Sequence, residues 1–158
     1  MNNNTTIWLD LDGTIADLYA IEDWLPKLRN CDPSPYYEAS PLVALSPLAR
    51  KLNKLQSLGF EIGIISWTSK GSPQGYHKEV QKAKEKWLRQ HLPSVCFNTV
   101  YIVPYGVAKS YFKRTDSDIL IDDCEEIRED WGECSIDPVA VDILEYLQGI
   151  INALRATG

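Results

Sequence analysis

The feature that most limits how this chain can fold is an alternation. Short apolar runs at residues 6–10, 60–65, 99–103 and 118–122, with a weaker fifth at 133–136, are separated by stretches of helical periodicity. Strands joined through helices pair in parallel, because each crossover returns the chain to the same end of the sheet. The pattern predicts a Rossmann-like α/β fold, a parallel sheet with helices on both faces. The helical stretches fall at 16–28, 48–58, 76–92, 125–131 and 138–154, with a short piece at 108–112.

Individual residues set the bounds of these elements. Ser46-Pro47 has the form of an N-cap with proline at the first helical position, Leu48, Leu52, Leu55 and Leu58 make an apolar stripe, and Gly59 closes the helix. In 76–92, Val80, Ala83 and Trp87 share one side, while Lys78, Lys82, Lys84, Lys86 and Arg89 read as a solvated face. In the last helix Val141, Leu144, Leu147 and Ile151 are expected inward. A chain of 158 residues fits a single domain, 1–158. Residues 30–46, with Pro33, Pro35 and Pro41, are long for a connection.

Open parallel sheets bind ligands beyond the carboxyl ends of their strands. Three of the apolar runs end in oxygen groups there: Asp10, Ser66 and the pair Asp122-Asp123. In Asp10-Leu11-Asp12-Gly13-Thr14, two carboxylates lie two positions apart and point the same way while the strand lasts. Gly13 then lets the backbone turn. Paired carboxylates attract a hard cation, and Asp12 can carry a proton for Asp10. A like-charge pair at Asp122-Asp123 is unfavourable unless a cation neutralises it. Ser66, Lys109 and the Gly13 turn are the expected phosphate-binding groups. Plain turn chemistry at Asp12-Gly13 and helix capping at Asp122-Asp123 remain open for each motif taken alone. An EF-hand would need Gly and Glu where Ile15 and Ile21 stand. Cys31, Cys96, Cys124 and Cys134 are too scattered for a zinc site.

Taken together, these motifs resemble the haloacid dehalogenase-like phosphatase superfamily. Residues 10–14 look like its first motif, Ser66 its second, Lys109 its third-motif lysine and Asp122-Asp123 its fourth. Ile15-Ala16-Asp17 continues the first motif much as in the 5′(3′)-deoxyribonucleotidase branch. The resemblance implies a magnesium-dependent phosphomonoesterase, with residues 17–46 as a small cap or flap after the first strand. Asp10 is the nucleophile that forms an aspartyl-phosphate, and Asp12 is the acid and then the base. Magnesium sits on Asp10, the Asp12 backbone carbonyl and a fourth-motif acid, Asp123 before Asp122. The alternative is the same fold holding a nucleotide-like molecule without turnover; a phosphomutase is a third reading.

The expected partner is a small phosphorylated metabolite. A net charge of −6 argues against a nucleic-acid polymer. The first six residues lack a basic stretch followed by an apolar one, and no run approaches the roughly 18 apolar residues of a membrane span. A cytoplasmic protein without a membrane partner is expected. Tyr19, Tyr36 and Tyr37, with Trp24, suit stacking on a base. Asp17, Glu22, Asp23 and Asp32 in the same segment should repel a highly charged ligand, which favours a nucleoside monophosphate.

Overall fold

A computed structural model describes residues 5–158. In chain order its elements are β1 (Thr6–Leu9), β2 (Ala16–Asp17), α1 (Trp24–Arg29), α2 (Ser34–Glu38), β3 (Ser40–Pro41), α3 (Leu45–Ser57) and β4 (Glu61–Trp67). There follow α4 (Gln74–His91), β5 (Thr99–Val103), β6 (Ile119–Ile121), α5 (Glu125–Trp131), β7 (Ser135–Ile136) and α6 (Ile143–Ala156). Single 3-10 turns occupy Leu18–Ala20 and Lys109–Phe112. The fold is α/β. Five parallel strands run in the order β5-β4-β1-β6-β7. From β1 the chain moves outward through β4 to β5, then returns to the other side of β1. The reversal opens a crevice between the carboxyl ends of β1 and β6.

Strand alternation divides the core. Ile7, Leu9, Ile62, Ile64 and Ile121 join Leu48, Leu52 and Leu55 of α3, Trp87 and Leu88 of α4, and Leu147 and Ile151 of α6 in one cluster. Trp8, Ile65 and Leu120 point the other way and meet Trp131 of α5. Each such side chain contributes about 1.5–3 kcal/mol on full burial. Gly63 is needed on the second face: a Cβ there would stand 2.5 Å from Trp8 Cε3, inside the indole's own volume.

Three expectations are corrected. Residues 16–28 are not one helix. The amides of Thr14, Ile15 and Ala16 all fold back on the Leu11 carbonyl. Ala16-Asp17 then pairs antiparallel with Ser40-Pro41. Asp23 adopts left-handed φ of 56°, so a regular helix starts only at Trp24. Ser46 does not cap α3. Its N-cap is Ala44, and the Ser46 hydroxyl accepts instead from Arg50 at 2.6 Å. The closing helix begins at Ile143 and not at Pro138, because the Asp142 carboxylate caps the Glu145 amide at 2.9 Å. Ile143, Leu147 and Ile151 are buried there, whereas Val141 is 40% exposed.

The segment after β1 builds a small core of its own. Leu18 and Tyr36 pack on Tyr76, Val80 and Ala83 of α4, with Trp24, Leu28 and Tyr37 around them. A cap of this size lies on the first half of α4. Among the described residues no helix is long and apolar enough to cross a membrane.

At the amino end of β6, the fully buried Asp118 ties the sheet together. Its carboxylate accepts from the Thr6 amide at 3.0 Å, Trp8 Nε1 at 3.1 Å, the Arg114 amide at 2.9 Å and Thr115 Oγ1 at 2.9 Å. Burial acts to raise its pKa, but these donors outweigh it and hold the carboxyl below its ordinary value. A depressed folded pKa gives stability that is present above the unfolded value of about 3.9 and lost as pH falls through the folded one. Asp118→Ala should cost about 2–4 kcal/mol in urea unfolding at pH 7, because it strands buried donors. The gap to wild type should narrow below about pH 4, where wild type loses the charge.

Candidate active site

Asp10 follows β1, and Asp122 and Asp123 follow β6. The Asp10 amide extends the ladder onto the Ile121 carbonyl at 3.0 Å, so the two strand tips stay in register. Carboxylate oxygens of Asp10, Asp122 and Asp123 all lie within 4.8 Å of one another. The buried Lys109 ammonium bridges Asp10 Oδ1 at 2.9 Å and Asp122 Oδ2 at 2.6 Å. Burial acts to lower its pKa, but Asp10 and Asp122 together outweigh that and hold it above the ordinary lysine value.

The Asp122-Asp123 pair divides its work. Asp122 is fully buried, and both its oxygens are engaged: Oδ2 by Lys109, Oδ1 by the Cys124 amide at 2.9 Å. Asp123 is half-buried and accepts from Thr14 Oγ1 at 3.2 Å, which ties it to the turn after β1. Gly13 lies between them at φ 77°, where a Cβ would stand 2.3 Å from Asp123 Oδ2. Its amide donates to the Ala16 carbonyl. Gly13 therefore provides room for the carboxylates and the turn that L side chains resist; it does not supply a free donor.

One ammonium does not balance three carboxylates. Burial, and then the neighbouring Asp10 charge, raise the Asp122 pKa and push Asp123 up to about 6. An all-oxygen donor set with residual negative charge fits a hard divalent cation. Asp10 and Asp123 keep oxygens available to hold one, and Asp122 is better placed to orient them. The Asp12 side chain stands outside this group.

Asp12 belongs to a second ion pair. Lys84 Nζ donates to Asp12 Oδ2 at 2.7 Å, Ser66 Oγ at 2.8 Å and the Trp67 carbonyl at 2.6 Å, using all three of its protons. The Tyr36 ring centroid lies 4.9 Å from the ammonium. Burial raises the Asp12 pKa against the pull of Lys84, and Asp10 adds to the rise. Lys84 is 2% exposed, so it does not belong to the solvated face predicted for α4; Lys78, Lys82, Lys86 and Arg89 do. The spacing carried the signal: Lys84 lies four residues after Val80 and three before Trp87, on the buried stripe.

These groups floor a cleft of about 490 Å³. The fully buried Ser66 and Lys109 line it together with Asp10, Asp12, Asp122 and Asp123. Tyr19, Trp24 and Tyr36 of the cap form one wall. Tyr36 Oη lies 2.6 Å from Ser69 Oγ, which fastens the cap to the loop after β4. Burial first, and Asp12 next, raise the pKa of the Tyr19 and Tyr36 hydroxyls above the ordinary tyrosine value. Tyr37 is not part of the cleft; it packs in the cap core with Lys86 Nζ 5.5 Å from its ring. Trp67 and Tyr105 also line the cleft. Trp67 was legible only as the residue after Ser66. No protein-family profile matches the chain, and no curated protein matches it significantly.

Removing one partner of a buried ion pair costs about 3–5 kcal/mol, because the other charge is left uncompensated. Lys84→Met should show a loss of that order by urea unfolding. Adding Asp12→Asn should recover about 1 kcal/mol or more of it. Simple additivity of the two substitutions would mean that the pair is not coupled.

Proposed function

We propose that the protein is a magnesium-dependent phosphomonoesterase of the haloacid dehalogenase-like type. One observation carries the reading: the single tip of β1 presents Asp10 and Asp12 in separate electrostatic settings, one on Lys109 and one on Lys84. A nucleophile and a proton carrier need that separation, since they must hold different protonation states at one pH.

Asp10 attacks phosphorus through a carboxylate oxygen and the bond to the ester oxygen breaks, leaving an aspartyl-phosphate. The raised pKa of Asp12 suits it to give a proton to the departing oxygen. The Asp12 carboxylate then takes a proton from water, which attacks the same phosphorus, releases inorganic phosphate and restores Asp10. Lys109 and the Ser66 hydroxyl hold phosphoryl oxygens as charge redistributes. Lys84, a positioning residue, holds both Asp12 and Ser66. A magnesium ion on Asp10 and Asp123, with the Asp12 backbone carbonyl, would neutralise carboxylate and phosphoryl charge. Tyr19, Trp24 and Tyr36 suit a substrate with a planar ring.

Phosphate release from a panel of phosphomonoesters should require magnesium and stop with a chelator. Asp10→Asn should reduce turnover to background while unfolding as wild type does. A second readout is independent of turnover: magnesium should raise Tm in wild type and not in Asp123→Asn. Ligand binding without phosphate release in any magnesium condition would favour a binding protein.

A further inference from the structure

The cleft is larger than a phosphoryl group requires, and its outer part has a definite character. Two aromatic pairs line it. Tyr19 and Trp24 meet edge to face at 5.0 Å in the cap, and Trp67 at the end of β4 meets Tyr105 of the loop after β5 at 4.7 Å. Trp67 is held in place by its Nε1, which donates to the Val107 carbonyl at 2.8 Å. Away from the floor carboxylates and Lys109, the only charged residues on the lining, among the described residues, are Arg29 and Lys70. Both are cations and both are exposed. They come from different segments, Arg29 from the last turn of α1 and Lys70 from the loop after β4. Neither forms an ion pair among the described residues, whose pairs are Lys84–Asp12, Lys109–Asp10, Lys109–Asp122, Arg114–Glu61 and Arg128–Asp137. Lys70 stands 5.9 Å from the Tyr105 ring.

This arrangement overturns one expectation drawn from the sequence. Asp17, Glu22, Asp23 and Asp32 do not line the cleft. The cap brings a guanidinium to the rim instead of carboxylates. The reacting phosphate is served at the buried floor, so the rim cations face whatever part of the ligand projects outward.

We infer that the substrate is an aromatic phosphomonoester bearing a second anionic group, which Arg29 and Lys70 recognise at the rim. The inference rests on the phosphatase reading for the end of the ligand that reacts. The ring system stacks among the aromatic pairs, and the second phosphate or carboxylate meets the two cations in partly screened solvent.

The probes are thymidine 5′-monophosphate and thymidine 3′,5′-bisphosphate, which differ only in the added phosphate. Their binding to Asp10→Asn with magnesium is read by titration calorimetry, so turnover is not needed. The bisphosphate should bind about 10-fold tighter, the worth of one charge-assisted contact. The ratio should fall toward one in Asp10→Asn carrying Arg29→Gln and Lys70→Gln, and shrink as salt is raised. Equal affinities, no binding of either compound, or a preference that survives the double substitution would overturn the inference. Phosphate release by the wild-type enzyme is scored separately. If the calorimetric preference holds but no phosphate is released, the rim assignment stands and the catalytic reading fails.

Discussion

Two buried ammonium groups make it possible for four carboxylates to share one end of a sheet. Without Lys109, Asp10 and Asp122 would repel across a few ångströms in a setting that water screens poorly. Without Lys84, Asp12 would lose its counter-charge and Ser66 a donor. The sheet order follows from the same need, because only adjacent tips of β1 and β6 bring the carboxylates within reach of one ammonium. The crossovers that produce this order also carry the lysines: Lys84 on α4, between β4 and β5, and Lys109 on the turn before β6.

The far end of the sheet uses the opposite tactic. Asp118 is a single buried carboxylate surrounded by donors. It is satisfied by two amides, an indole and a hydroxyl rather than by a cation. One end of β6 is therefore settled within the protein, and the other retains excess negative charge. Fixing the first keeps the second in register, since the tips of a three-residue strand cannot shift independently.

Most of the architecture could be read in advance because it depends on local pattern. The runs at β1, β4, β5 and β6 are apolar and short, and the acids that follow β1 and β6 are visible as letters. The cap was harder. Its turn at residues 11–16 arises from three amides competing for one carbonyl, and its strands are two residues long, too short for periodicity to register. Lys84 was missed for a different reason. A lysine in a lysine-rich helix is ordinarily solvated, and only the company of Val80 and Trp87 on its face distinguishes it. The charge of the cleft was misread because composition counts a segment's acids without saying which way they point. Asp17, Glu22, Asp23 and Asp32 are in the cap, yet the cleft receives Arg29.

The position of Tyr36 links covering to chemistry. Its ring lies over the Lys84 ammonium, and its hydroxyl is fastened to Ser69. The lid is thus built on the same helix that carries the counter-ion of Asp12. If α2 lifts from α4, water reaches this pair, and the burial that raises the Asp12 pKa and the Lys84 attraction that lowers it weaken together. Cover and charge are then a single variable: one aromatic ring shields the same ammonium that neutralises Asp12.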